Sequence, residues 1–403
     1  MKNRNSVLKV LGFLILIFVV SCEKEAYISI DAVPCDTQME DILDGDKYQD
    51  ILDQFTTKGV VGVTAIIAKP GQNTWIGSSG FSSVEENKAM NNCNLHHTAS
   101  LAKSFVAIIT LQLIEEGKLD FDTKIEDLLT DEIRSIIPEI GQLTVKHLLQ
   151  QTSGLPDIFE LNFISDFMND PEEVYTRVEL LEYVAKKELL SEPGTEHHYS
   201  DTNFILLSFI IDQLEGDHIE AIQKRIVQTL NLQNVYYHNG SYPNINGLAA
   251  SYWDQYNDGK IENITSLQKR VTSYIKGSDG IISNPMDMFA FYENVFQGDL
   301  ISDPMLELIK SEVVREEEEQ KMNTGYSHGF MLIEEGDQKW IGHAGSQLGA
   351  SCFVFHNLNS GVSIGVFTNT GTFMFQEKQS LIFFRALGCY KSLCQLDGLI
   401  FDC

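Results

Sequence analysis

The sequence predicts an α+β protein of the α/β-sandwich kind. An antiparallel sheet is assembled from both ends of one long domain and flanked by helices of those ends, with a mostly helical region inserted between. Three observations lead there. β-rich segments cluster near residues 60–81 and again near 329–368, the chain between them carries helical apolar spacing, and turn signals separate neighbouring strands.

Taken in order, Tyr48, Ile51, Leu52 and Phe55 fall on one face of a short helix. Val60 to Ala68 reads as a strand, Pro70-Gly71 as a turn, and Thr74 to Phe81 as the returning strand of a hairpin. From Ser100 the pattern becomes helical. Phe105, Ile108, Ile109, Leu111, Leu113 and Ile114 leave little polar surface before Gly117, and a helix apolar nearly all round is a buried one. Leu143 to Leu149 is a short helix stopped by Ser153-Gly154-Leu155-Pro156. Val178 to Lys187 and Asn203 to Leu214 are further amphipathic helices, the second with Asp201 or Thr202 as its N-cap. β character returns at Gly329–Glu334, Lys339–His343, Ala350–His356 and Val362–Thr368, with Gly336-Asp337 and Asn359-Ser360-Gly361 as hairpin turns. Phe375 to Leu387 reads as a closing helix. The domain is expected over 46–388, with its insertion at about 120–320 and a cysteine-containing tail over 389–403.

With 403 residues and 43% apolar content, the chain is long enough for a large core. Its net charge of −28 comes without any cluster of Lys and Arg, so no surface suited to nucleic acid is expected. Lys2, Arg4 and Lys9 precede an apolar run from Val10 to Val20, which falls short of the about 20 residues a spanning helix needs. Residues 1–21 therefore read as a signal peptide. Val19-Val20-Ser21-Cys22 resembles a bacterial lipoprotein box, with Cys22 as the lipid attachment site and the polar, acidic stretch 22–45 as a tether. That arrangement predicts an exported lipoprotein, held at a membrane by its N-terminal lipid and facing the periplasm or the cell surface. Export permits disulfides among the other six cysteines, although spacing leaves their pairing open, as it does the oligomeric state. There is no C-x-x-C or H-E-x-x-H spacing, no phosphate loop and no dinucleotide fingerprint, so neither metal nor cofactor is expected.

The chemistry-bearing pattern begins at Ser100 and Lys103. Residues three apart share a helix face, which brings an amine beside a hydroxyl that needs a base before it can attack. This S-x-x-K spacing is the mark of serine acyl-transfer sites, and no G-x-S-x-G elbow competes with it. Two later stretches join it. Tyr199-Ser200-Asp201 stands where a loop enters a helix, and His343-Ala344-Gly345-Ser346 closes a strand. Singly, the first reads as a capped helix start and the second as a strand end with a structural histidine. His147 reads as structural, the adjacent pairs His96-His97 and His197-His198 as poor metal ligands, and Trp75, Trp253 and Trp340 as packing residues.

Together, in this order and spacing, the three stretches resemble the serine β-lactamase and penicillin-binding protein superfamily. The likeness is nearest to its branch of class C β-lactamases, D-alanyl-D-alanine carboxypeptidases and esterases. Leu143 to Pro156 and Gly277 to Ser283, followed by Asp287, are similar to that family's connecting segments. The resemblance implies a β-lactamase/transpeptidase-like fold with Ser100 as the acylated nucleophile and Lys103 helping to move its proton. It implies Tyr199 as a proton acceptor or relay, for which a neighbouring Lys103 ammonium would lower the phenol from its usual pKa of about 10. His343 and Gly345 match the strand that binds the substrate carbonyl side, and the backbone N–H groups of Ser100 and Ser346 match an oxyanion hole.

Two positions depart from the pattern. Asp201 stands where the family has Asn, and an ionised carboxylate accepts hydrogen bonds without donating them. His343 stands where the family has Lys, which removes a fixed positive charge used for carboxylate-bearing substrates. The expected function is hydrolysis of an amide or ester in a small molecule or peptide through an acyl-serine, of D-alanyl-peptidase or esterase type. A true β-lactamase ranks behind these, and a non-catalytic member that binds cell wall or protein is the alternative.

Overall fold

The alternating direction of side chains along the buried strand Gly62–Ala68 shows how the core divides. Ile66 points into one hydrophobic cluster, whereas Val63, Ala65 and Ile67 point into another on the opposite side. A strand whose two faces are both covered lies inside a sandwich. This strand is interior to a nine-stranded sheet, seen in a computed structural model that describes residues 29–32, 44–238, 240, 242, 244–255, 259–315 and 323–371. The expected signal peptide, Cys22, most of the tether, the closing helix and the tail lie outside the described residues.

Across the sheet the strands run Val314–Arg315, Asn323–Ser327, Phe330–Glu335, Gln338–Gln347, Ala350–Asn357, Ser363–Thr368, Gly62–Ala68, Trp75–Ser83 and Lys88–Ala89. Every adjacent pair is antiparallel. The two ends of the domain meet where Val366 pairs with Ala65. The mixed α+β architecture with one large antiparallel sheet is the one expected, and the helical region lies between Ala89 and Val314 in the chain.

One face is covered by helix Gly45–Thr57, whose Tyr48, Ile51, Leu52 and Phe55 are buried at the expected spacing. The other face carries the larger cluster around helix Ala102–Glu115. That helix is buried on nearly all sides. Phe105 stacks on Phe291 with 3.7 Å between ring centroids, and Tyr292 donates to Ser104 Oγ at 3.0 Å. Ser104 Oγ in turn donates to the Gly329 carbonyl at 2.9 Å, tying the helix to the sheet.

Several boundaries differ from the sequence reading. The helix expected over Val178 to Lys187 runs Arg177–Glu182, because the chain then turns so that the Lys186 N–H can pair with the Ile136 carbonyl. The following long helix spans Asp201–Glu215, and its N-cap is Ser200, whose Oγ accepts from the Thr202 N–H at 3.2 Å. Strand Gln338–Gln347 continues past His343 as far as its partner Ala350–Asn357 allows. Asn323–Ser327 forms a strand outside the expected β segments; its polar composition hides it, and neighbouring strands hold it in register. Within the expected tether, Ser29–Asp31 pairs in parallel with Asn244–Asn246.

Candidate active site

Ser100 lies in the short 3-10 turn Ala99–Leu101 that feeds directly into helix Ala102–Glu115. The preceding Ala99 is fully buried with φ 48, a left-handed conformation that costs a residue with a Cβ. The turn is pinned from both sides. Thr98 donates from its N–H and its Oγ1 to the Ile281 carbonyl, and the Thr98 carbonyl accepts from Cys352 Sγ. The nucleophile candidate therefore sits on a fixed ledge against the sheet, where the Thr98 carbonyl meets Cys352 and Gly345.

Lys103 is completely buried one turn along. Its Nζ donates to Ser100 Oγ at 3.0 Å, Asp201 Oδ1 at 2.7 Å and the Ser278 carbonyl at 3.1 Å. Three acceptors match the three N–H donors of an ammonium. The Tyr199 ring centroid is 5.0 Å from the same Nζ, and Tyr199 and Ser100 line the same cavity. Ser100, Lys103, Tyr199 and Asp201, distant in sequence, thus share one locus.

A buried polar knot places Tyr199 and Asp201. Gln151 Oε1 accepts from the Ser200 N–H at 3.0 Å and from Asn203 Nδ2, whose Oδ1 accepts from Ser153 Oγ at 2.6 Å. Ser200 Oγ and Thr202 Oγ1 both donate to the Pro156 carbonyl. The Ser-Gly-Leu-Pro stretch is therefore the clamp that holds the Tyr-Ser-Asp stretch. Gly154, at φ 73, is required there, because a Cβ would lie 2.4 Å from the Ser191 carbonyl oxygen.

On the opposite wall, strand Gln338–Gln347 passes very near the nucleophile turn. A Cβ on Gly345 would lie 2.6 Å from the Thr98 carbonyl oxygen and 3.0 Å from Leu101 Cδ1. Ala344, Gly345 and Ser346 line the cavity over Ser100, whereas His343 does not. The expectation of a substrate-facing His343 is corrected. Fully buried, it receives the Tyr326 hydroxyl at Nε2, 3.2 Å away, and directs Nδ1 at the Ala344 carbonyl, 2.6 Å away. Burial, followed by the Lys103 charge, lowers its pKa to about 3, so it is neutral.

Tyr199 likewise departs from expectation. Burial, and next the Asp201 charge, raise the phenol well above its ordinary value. The anticipated lowering by Lys103 is not seen, because Asp201 balances that ammonium; the phenol is protonated at neutral pH. Asp201 faces the cavity as expected but serves chiefly as Lys103's ion-pair partner.

The sequence reading passed over three further groups. Asp157, Asp279 and Gln347 line the same cavity of about 440 Å³. Asp157 Oδ1 accepts from the Phe159 and Asp201 N–H groups, and burial together with the Asp201 charge raises its pKa to about 7. Burial does the same for Asp279, also raised to about 7, which accepts from Gln347 Nε2 and the Gly280 N–H. The signal was within reach, since Asp157 directly follows Leu155-Pro156 and Asp279 lies inside Gly277–Ser283.

An antiparallel sheet covered by helices on both faces, with a serine, lysine and tyrosine meeting beside it, defines the β-lactamase/transpeptidase-like class of proteins. Residues 48–384 match the Beta-lactamase family, and the chain belongs to it. It is 25% identical over 310 residues to a penicillin-binding protein of Bacillus subtilis (strain 168), covering 73% of this chain and 65% of that one. It is also 25% identical over 208 residues to an N-acetylmuramyl-L-alanine amidase of the same organism, covering 47% and 46%. The chain thus spans less than two thirds of the length of these curated relatives. Among solved structures, the D-amino acid amidase of Ochrobactrum anthropi complexed with L-phenylalanine amide superposes with a TM-score of 0.73 at 22% identity, covering 87% of this chain and 99% of that one. The octameric penicillin-binding protein homologue from Pyrococcus abyssi gives 0.74 at 21% identity, covering 89% and 78%. At those identities the likeness establishes the fold.

Proposed function

We propose that the protein is a serine hydrolase that cleaves an amide or ester through an acyl-enzyme on Ser100. The observation that carries this reading is the Lys103 amine 3.0 Å from Ser100 Oγ, with the Tyr199 ring centroid 5.0 Å from that same amine and Tyr199 lining the same cavity. Ser100 Oγ attacks the carbonyl carbon while its proton passes to the Tyr199 oxygen, and the Tyr199 proton passes to the leaving nitrogen or oxygen. The relay needs no resting phenolate. The Lys103 ammonium steadies the charge that develops between them, and the Ser100 and Ser346 N–H groups take the oxyanion, where one donor is worth roughly 2.7–4 kcal/mol. Water then takes the acyl group by the reverse path, releasing the acid and restoring Ser100.

The neutral, recessed His343 and the carboxylates around the cavity favour esters and uncharged or cationic amides over carboxylate-bearing D-alanyl peptides and β-lactams. The similarity to an amidase fold and to a penicillin-binding protein accords with acyl transfer. Export as a lipoprotein attached through Cys22 belongs to the same reading, supported by the basic and apolar N-terminal pattern and by a disulfide-bonded Cys93. A fluorophosphonate probe tests the chemistry. Covalent labelling of the wild type that disappears in Ser100→Ala is the expected result, and a folded wild type that takes no label and hydrolyses neither p-nitrophenyl acetate nor an amino-acid amide is a binding protein instead.

A further inference from the structure

The walls of the Ser100 cavity carry a charge pattern that the acyl-serine chemistry does not require. Asp157, Asp201 and Asp279 all line it, and among the described lining residues there is no Lys, Arg or His. The nearest cation, Lys103, is fully buried, and its donors are taken by Ser100, Asp201 and the Ser278 carbonyl. A second lysine, Lys276, lies behind Asp279 and donates to the Tyr242 hydroxyl and the Thr272 carbonyl. The Lys103 charge does reach Asp157, but burial and the Asp201 carboxylate outweigh it there.

Asp157 is the most open of the three. It is partly exposed to the cavity, and both of its hydrogen bonds, from the Phe159 and Asp201 N–H groups, end on Oδ1. Among the described residues no hydrogen bond reaches Oδ2. A carboxylate half removed from water, beside the Asp201 carboxylate and with one oxygen unpaired, is costly unless it takes a proton or a cation comes to it. The elevated pKa values of Asp157 and Asp279 express the same frustration.

We propose that the substrate carries a protonated amine, which docks on Asp157 with Asp279 as a second counter-charge, so that the preferred acyl or leaving group is an aminoacyl-type unit with its amine free. This inference rests on the acyl-serine reading for its catalytic consequence, but the binding it predicts does not depend on turnover. An ammonium brings up to three donors into a cavity that offers carboxylate acceptors, whereas a carboxylate-bearing ligand would meet like charge on several sides.

The test uses matched ligands that differ only at the amine. With the full-length protein, kcat/KM for D- and L-alanine p-nitroanilide is compared with that for propionyl p-nitroanilide and N-acetylalanine p-nitroanilide. The expected result is at least a tenfold preference for one free-amine substrate over both uncharged ones. In Asp157→Asn, which keeps an Oδ1 acceptor for the Phe159 and Asp201 N–H groups, that ratio should fall at least tenfold. Calorimetric titration of Ser100→Ala with alaninamide and with propionamide supplies a readout independent of catalysis, and the free-amine ligand should bind at least tenfold tighter. Equal affinity for the two amides, or a ratio unmoved by Asp157→Asn, overturns the inference even if Ser100 is labelled by fluorophosphonate. Selective ammonium binding by a protein that takes no label overturns the hydrolase reading and leaves this one standing.

Discussion

At the scale of single residues, the site depends on separations of a few tenths of an ångström. Gly345 is the sharpest case, because a methyl group there would fall 2.6 Å from the Thr98 carbonyl oxygen of the nucleophile turn. Gly345→Ala must push the strand away from Ser100 or shift the turn. A misplacement of about 1 Å can cost on the order of 100-fold in rate, so kcat should fall by about that factor while fluorophosphonate labelling slows in parallel. Tyr199→Phe removes the relaying hydroxyl but keeps the ring that packs against Tyr326 and Lys103. Steady-state kinetics should show kcat/KM lower by about 10²–10⁴, the range of a general acid–base group, with melting temperature little changed. An unchanged rate would remove the phenol from the proton path.

At the scale of elements, helix Ala102–Glu115 does two jobs, forming the centre of the core and aiming Lys103 at Ser100. Its hold on the rest of the fold comes from apolar packing, with Phe105 stacked on Phe291 and both fully buried. Phe105→Ala should destabilise the protein by about 3–5 kcal/mol, as truncation of a buried Phe does, measured as a shift in the denaturant midpoint. The same helix is legible from its apolar residues alone. The clamp between Gln151 and the start of helix Asp201–Glu215 is not, since it consists of polar contacts between segments about 50 residues apart. Hydrophobic periodicity finds which face of an element is buried, but it does not report which buried polar group answers another across the chain.

At the scale of the whole molecule, burial of titratable groups sets a pH dependence. Burial lowers His96 and His328 to about 4 and His97 and His343 to about 3. Unfolding lets these four imidazoles take up protons below about pH 6.5, so their contribution is present above that pH and is lost as pH falls toward 3–4. Asp157 and Asp279 act in the opposite sense, because they hold protons to about 7 that the unfolded chain releases near 4. Near pH 5 the four histidines outweigh the two aspartates by about two protons, a slope of about 3 kcal/mol per pH unit. Chemical denaturation from pH 6 to pH 4.5 should therefore show stability falling steeply with acidification. A flat or rising profile would mean that these histidines are hydrated in solution.

The order of strands, helices and turns and the pairing of Ser100 with Lys103 followed from local spacing, because helical and strand periods are short-range properties of the chain, whereas the membership of Tyr199 and Asp201 in the same site came from the resemblance of the ordered stretches to a known family. The protonation of Tyr199, the withdrawal of His343 behind its strand and the acidic lining supplied by Asp157 and Asp279 did not follow from it. Those depend on how much water remains around each group and on which charges lie across the cavity. Only the folded chain, which brings residues 100, 157, 201, 279 and 346 to one place, fixes either of them.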